Sequence, residues 1–288
     1  MIQALAAVLR YYPFYSGAFR LANSRIVTSL TKHDVGAQWC RTAAGEILVP
    51  LEDMVGRTIF LTGDYDRKIT TICRKIILPG DIAIDVGANL GIVTLAMAKA
   101  VGRSGIVHAF EPNPIIRSYL SQSLTRNHYQ NVTLHESALG SDKTTLTLHV
   151  PRSNMGQGSL FYHAGRTDID TYECRVERLS DLVGRDPIRL IKIDVEGFEA
   201  QVLAGASRIL RDIRPVVLLE TNDHDGIRFH ERPAISELLK YKYEFLAIRK
   251  SLLSVRLDKI TAGCAVSPSH DIVAVPSDKY QSLQTLLA

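Results

Sequence analysis

Residues 81–91, Asp-Ile-Ala-Ile-Asp-Val-Gly-Ala-Asn-Leu-Gly, join a short apolar run to a glycine turn. Ile82, Ile84 and Val86 have the length and texture of a buried parallel strand, and the run stops at Gly87. Asn89 and Gly91 then lead into an apolar helical segment over 92–100. Strand, tight turn and helix start together suit a nucleotide-like ligand: glycine lets backbone approach it, and the first helical N–H groups lack partners within the helix. In a doubly wound sheet, ligands bind at the ends of such strands.

The identity of the ligand follows from what flanks the turn. A dinucleotide fingerprint needs G-x-G-x-x-G, whereas this turn reads Gly87-x-Asn89-x-Gly91. Asp85 sits two positions before the first glycine, where a carboxylate repels a pyrophosphate but welcomes the ammonium of an amino-acid moiety. Glu111 ends the next apolar run, 105–110, and a carboxylate there can accept both hydroxyls of a ribose. An ammonium site plus a ribose site, with no phosphate cradle, points to S-adenosylmethionine. The competing enzyme reading, an NAD-dependent oxidoreductase, is disfavoured by the missing third glycine and by Asp85. A reading from another class, a non-catalytic S-adenosylmethionine-binding subunit, stays open because fold alone does not establish activity.

The 288 residues allow one large α/β domain with an N-terminal extension, or two small domains. The division expected is 1–78, an extension with a lid-like segment, and 79–288, the main domain. At 46% hydrophobic residues the chain has ample material for a core. The net charge of +4 is mild and no dense Lys/Arg block occurs, so nothing requests nucleic acid or an anionic membrane. Cys40, Cys73, Cys174 and Cys264 are far apart, without the short spacing of a zinc or redox motif, which predicts buried packing roles and a reduced, cytoplasmic protein. Residues 1–9 are too short to span a bilayer and lack a basic n-region. Ile2, Leu5, Ala6 and Leu9 share one helical face, predicting a packing helix, with a subunit contact and hence a homo-oligomer as one option.

Along the chain, 47–49 and 58–61 read as strands, and 70–78 as a helix ended by Pro79-Gly80. Tyr65 and Asp66, in the intervening turn, are placed either over the site or on a plain surface turn. Beyond Gly91 helix and strand alternate: helix 91–101, strand 105–110, helix 114–128, strand 132–135, implying a parallel sheet with helices on both faces. Glu136 and Ser137 follow the third strand, where they can meet an adenine edge. Residues 144–150 and 171–176 form a candidate pair around a polar stretch, 153–160, suited to a substrate loop. Strands at 188–193 and 215–219 follow, the helix between them broken at Gly205. Residues 243–248 and 272–275 read as a final antiparallel pair, and 277–287 as a last helix.

These residues resemble the FkbM family of methyltransferases: Asp85-Val-Gly-Ala-Asn-Leu-Gly91, Phe110-Glu-Pro-Asn-Pro114, Ala138-Leu-Gly140, and Leu190-Ile-Lys-Ile-Asp-Val-Glu-Gly-Phe-Glu199. Val202-Leu-Ala-Gly-Ala206 and Pro215 to Glu220 fit as well, and the similarity runs from about Gly56 to His224. The resemblance implies a class I methyltransferase fold, Rossmann-like, with a seven-stranded sheet whose last strand is antiparallel. It implies O-methylation of a small-molecule or glycan acceptor. Carried over by position, Asp85, Gly87, Asn89 and Gly91 surround the methionine part, Glu111 holds the ribose, and Glu136 and Ser137 lie near the adenine. Residues 1–40 and 250–270 match nothing in the family.

Methyl transfer from a sulfonium needs an oriented acceptor and, for an alcohol, a place for its proton. Asp194, the strand-end carboxylate nearest the expected sulfonium, is the first candidate; a helix-capping role is its alternative. His224 titrates near neutral pH and is the second, with a plain exposed loop histidine as its alternative. The acids at these strand ends could instead hold Mg²⁺; the reading adopted here has no metal.

Overall fold

The computed structural model describes residues 2–10, 15, 17–31, 36–152, 154–161, 168–184, 186–221, 227–251, 253–260 and 270–282. A hairpin of β1 (Ala37–Thr42) and β2 (Gly45–Pro50) comes first. β3 (Ile82–Val86), β4 (Ile106–Phe110) and β5 (Val132–His135) alternate with helices Ile92–Val101 and Pro114–Arg126. An excursion follows, in which β6 (Ala138–Leu139), β7 (Thr144–Pro151) and β8 (Ile169–Glu177) form a separate three-stranded sheet. The chain then returns through β9 (Ile188–Ile193), β10 (Val216–Glu220), β11 (Tyr243–Lys250), β12 (Val255–Lys259) and β13 (Asp271–Pro276).

Among the described residues the main sheet has the order β12-β11-β13-β10-β9-β3-β4-β5. Its centre and one side, β10 to β5, are parallel, and β13 runs antiparallel to both β10 and β11. This is the Rossmann-like class I methyltransferase arrangement with one addition. The expected seven strands are eight, because β11 turns back through Ser251 and Ser254 and pairs with β12 at the edge.

Alternation along each strand divides the side chains between two helical layers. Ala83, Leu190, Leu218 and Val273 join the core shared with helices Met54–Thr62, Arg67–Ile76, Ile92–Val101 and Pro114–Arg126. Ile84, Ile191, Leu219 and Ile272 face helices Glu199–Gly205, Ser207–Asp212 and Pro233–Leu239. The helical break near Gly205 is therefore present. The N-terminal helix Ile2–Leu9 packs within its own chain, burying Ile2 and Ala6 in the first of these cores.

One expected strand is a helix. Residues 58–61, Thr-Ile-Phe-Leu, look strand-like because they are apolar throughout, but they lie in Met54–Thr62, buried on nearly all sides. Asp53 caps its start by accepting from Gly56 N at 2.9 Å, and Gly63 ends it in the left-handed region at φ 75°. At the other end of the chain, Ser277–Lys279 is a 3₁₀ turn, and residues from 283 onward lie outside the described set.

Candidate active site

The alternation that builds the two cores also gathers charge. Asp85, Lys192, Glu220 and Asp271 occupy the phase of their strands that faces the first helical layer, at neighbouring register positions, and Asp194 follows the end of β9 two residues after Lys192. Lys192 is the centre of the group. Its ammonium lies 3.3 Å from Asp85 and 3.5 Å from Asp194, and donates to the Gly87 carbonyl at 2.7 Å. Burial alone would push this amine down, but the two carboxylates hold it above the ordinary lysine range. Asp194 and Glu220 share a hydrogen bond. Lys192 keeps Asp194 below the usual carboxylate range against the opposing effect of burial. Burial and the neighbouring Asp194 push Glu220 up to about 10. At neutral pH the pair therefore carries one proton and one negative charge. Beside it, Lys68 bridges Asp66 and Asp271, the latter at 2.7 Å.

This charged group closes one end of a cleft of about 480 Å³. The other end is formed by the glycine turn, by Phe110 to Asn113, and by residues 154–158 of the β7–β8 excursion. Glu111 lies between the two loops, only 7% exposed. One carboxylate oxygen accepts from Asn89 N at 2.8 Å and the other from Asn113 N at 2.9 Å. Burial pushes its pKa up to about 7 despite those two donors. Asn89 adopts φ 52°, and Gly91 begins the helix Ile92–Val101 with no side-chain cap.

The residues singled out in the sequence fall into different places. Gly87, Asn89, Glu111 and Asp194 line the cleft, as do Tyr65 and Asp66. Asp85 does not. It is fully buried, accepts from Thr94 Oγ1 at 2.6 Å and meets Lys192, so it reaches a ligand only through that lysine. Glu136 faces outward between Arg117 and Arg175, and the cleft wall at this point is made by Ala138 and Leu139. Ser137 is buried but likewise off the wall, and Gly91 packs against Leu120. His224 lies outside the described residues. Glu220, one of the strand-end acids the sequence offers beside Asp194, also lines the cleft, as do Lys192, which sequence reasoning left as structural, and Asn113, which it passed over. The phase of Lys192 and Asp194, two apart on one strand, was the available signal.

Residues 85–254 match the family model described as the methyltransferase FkbM domain, a span of more than half the chain. The chain belongs to the FkbM methyltransferase family. It is 29% identical over 163 residues to Methyltransferase 1 of Beauveria bassiana, a match that covers 50% of this chain and 65% of that protein. It is 30% identical over 177 residues to the 31-O-demethyl-FK506 methyltransferase FkbM of Streptomyces tacrolimicus, covering 51% of this chain and 68% of the relative. The AMB antimetabolite synthetase AmbE of Pseudomonas aeruginosa is 26% identical over 256 residues, 76% of this chain but 12% of that much longer protein.

FkbM methyltransferases use S-adenosylmethionine, and the cleft of this member fits it. Glu111 presents a buried carboxylate toward the cleft with only one backbone donor on each oxygen, leaving acceptor capacity for ribose hydroxyls. The uncapped start of Ile92–Val101 adds unpartnered N–H groups, and the cleft offers the volume of a small-molecule site. Gly87 has a distinct reason to be glycine. It lies at φ 74°, and a Cβ there would stand 1.9 Å from the Asp194 carbonyl oxygen, so the clash is with the next strand. Gly87→Ala is therefore expected to strain the turn by about 1–2 kcal/mol from its left-handed φ alone, before the clash is counted. Thermal unfolding should show a marked loss of stability together with weaker cofactor binding; wild-type behaviour in both would contradict this packing.

Proposed function

We propose that the chain is an S-adenosylmethionine-dependent O-methyltransferase that acts on a hydroxyl of a small-molecule or glycan acceptor. The observation that carries this reading is the Asp194–Glu220 pair, held by Lys192 at the end of the donor cleft. The bound donor supplies a methyl group already activated as a sulfonium. The chain's own tasks are to orient an acceptor oxygen and to receive its proton. Asp194 is ionised and its side chain is 42% exposed, so a hydroxyl in the cleft can donate to it. The proton released on attack passes to Asp194, which the Glu220 hydrogen bond and Lys192 hold ionised and ready to accept from the hydroxyl before attack. Glu111 holds the ribose, with Gly87 and Asn89 beside the methionine part; Asp85 acts behind Lys192.

The acceptor class is supported by what surrounds the pair. Asp66, Glu196, Glu220 and Asp271 line the cleft together with Lys68 and Lys192, a rim of paired charges and hydrogen-bonding oxygens that suits hydroxyl donors and offers no unpaired basic patch to a polyphosphate. Tyr65 and Asp66 also line a second pocket of about 190 Å³, whose other walls include Tyr15 and Phe19. Phe19 and Tyr65 meet edge to face at 6.1 Å. Ring faces beside carboxylates suit a cyclic, hydroxylated acceptor longer than the cleft itself. A relative named for methylating 31-O-demethyl-FK506 supports an oxygen acceptor. In this reading residues 1–78 serve as the lid-like segment and 79–288 as the methyltransferase domain, which needs neither nucleic acid nor metal.

The test is methyl transfer from labelled S-adenosylmethionine to a panel of sugars, macrolactones and polyols, each paired with its hydroxyl-blocked form. Label held as a base-stable ether in the unblocked member alone is the expected result. Label in amines, base-labile esters or RNA would overturn the assignment.

A further inference from the structure

The polar excursion between β7 and β8 crosses the cleft as a strap, residues 154–160; Ser159 is bridged by its backbone to His149 of β7, and four further hydrogen bonds fasten the strap to the rest of the domain. Met155 N donates to Asp53 Oδ2 at 3.1 Å, Asn113 Nδ2 to Met155 O at 3.1 Å, and Asn89 Nδ2 to Gly156 O at 3.3 Å. At the far end Ser159 Oγ donates to the Glu196 carbonyl at 3.1 Å, two residues beyond Asp194. Asn89 and Asn113 each serve two masters: the backbone N–H of each goes to Glu111 and the side-chain amide to the strap. The carboxylate assigned to the ribose and the strap that roofs the cleft are thus joined through the same two residues.

We infer that Asp53 and Asn113 are positioning residues that clamp this strap over the donor cleft, so that donor binding and strap closure stabilise each other. The inference rests on the reading of the cleft as the S-adenosylmethionine site. A ligand on Glu111 fixes the carboxylate, and with it the two asparagines whose amides hold Met155 and Gly156. By linkage, ligand favours strap closure by the same factor as closure strengthens the ligand, so loosening the strap weakens the ligand. Asp53 makes this distinctive, because it is buried and does not line the cleft. Its other oxygen caps Met54–Thr62. Because the strap is tied to the donor end by Asn89 and Asn113 and to the acceptor end through Ser159, an occupied donor site completes the roof under which the acceptor sits.

Both clamps are also helix caps, Asp53 of Met54–Thr62 and Asn113 of Pro114–Arg126, where Asn113 Oδ1 accepts from Ile115 N at 3.1 Å, so the variants must keep the caps. Serine does this: Asp53→Ser and Asn113→Ser retain an N-cap oxygen but remove, respectively, the second carboxylate oxygen and the amide that reach the strap. S-adenosylhomocysteine binding by calorimetry and amide hydrogen exchange over 154–160 read the result. In the wild type, ligand should slow exchange across the strap. Each serine variant should bind S-adenosylhomocysteine three- to tenfold more weakly, lose that slowing, and keep a ligand-free melting temperature close to wild type. Wild-type affinity, or slowing that persists in both variants, would overturn the clamp. A large drop in ligand-free melting temperature for both would also overturn it, showing a merely structural role; if only Asp53→Ser fails to fold, Asn113→Ser decides. Failure of the wild type to bind S-adenosylhomocysteine would instead refute the donor site itself.

Discussion

Glu111→Ala is expected to lower S-adenosylhomocysteine affinity by at least about a hundredfold. Two charge-assisted hydrogen bonds to ribose hydroxyls disappear, each contributing about 1.5–3 kcal/mol. The same change strips the acceptor from Asn89 N and Asn113 N, so the loops that form the cleft also loosen. Glu111→Gln keeps the shape but turns one oxygen into a donor facing a backbone N–H, and should fall between alanine and wild type. A loss below threefold in the alanine variant, measured by calorimetry, would remove Glu111 from the ribose site.

The same residue sets a pH dependence. Its carboxyl titrates at about 7 in the ligand-free protein, raised from the ordinary 4.5 by burial. Because the folded value lies above the unfolded one, ligand-free stability falls as pH rises from about 4.5 to about 7, by about 3 kcal/mol in all. Ribose hydroxyls favour the ionised form, so binding expels a proton whenever the pH is below about 7. Affinity should climb about tenfold per pH unit up to that point and then level off. A flat profile between pH 5.5 and 8 would contradict the assignment.

Asp194→Asn is expected to lower kcat by about 10²–10⁴ while S-adenosylhomocysteine binding stays within threefold of wild type. Asparagine preserves volume but cannot accept a proton, and its amide is a poor neighbour for the Lys192 ammonium. Lys192 keeps Asp85 and the Gly87 carbonyl as partners, so the turn itself should hold. Turnover and binding falling together would make Asp194 a structural partner of Lys192.

The parallel centre of the sheet was legible because β3, β4, β9 and β10 are short β-branched runs separated by helices, a pattern with few alternative packings. The Met54–Thr62 helix was not legible from its middle, since a segment buried all round has no apolar face to give it a period. Its caps, Asp53 and Gly63, were the better guide. At the site, position within the turn misled the reading of Asp85: it belongs to the strand interior, and its phase points it at Thr94 and Lys192. The third strand shows the same lesson on a smaller scale, with Glu136 turned to arginines outside and Ala138 and Leu139 turned inward. Pairings such as Lys68 with Asp271, and Asp53 with Met155, join residues more than a hundred positions apart and carry no local signal.

A crystal structure of the S-adenosylhomocysteine complex tests the central claim most directly. The account predicts ribose hydroxyls at about 2.7–3 Å from the Glu111 carboxylate oxygens, with the sulfur directed toward Asp194 under the 154–160 strap. Ligand bound elsewhere, or with its ribose away from Glu111 and its sulfur away from the Asp194–Glu220 pair, would contradict it.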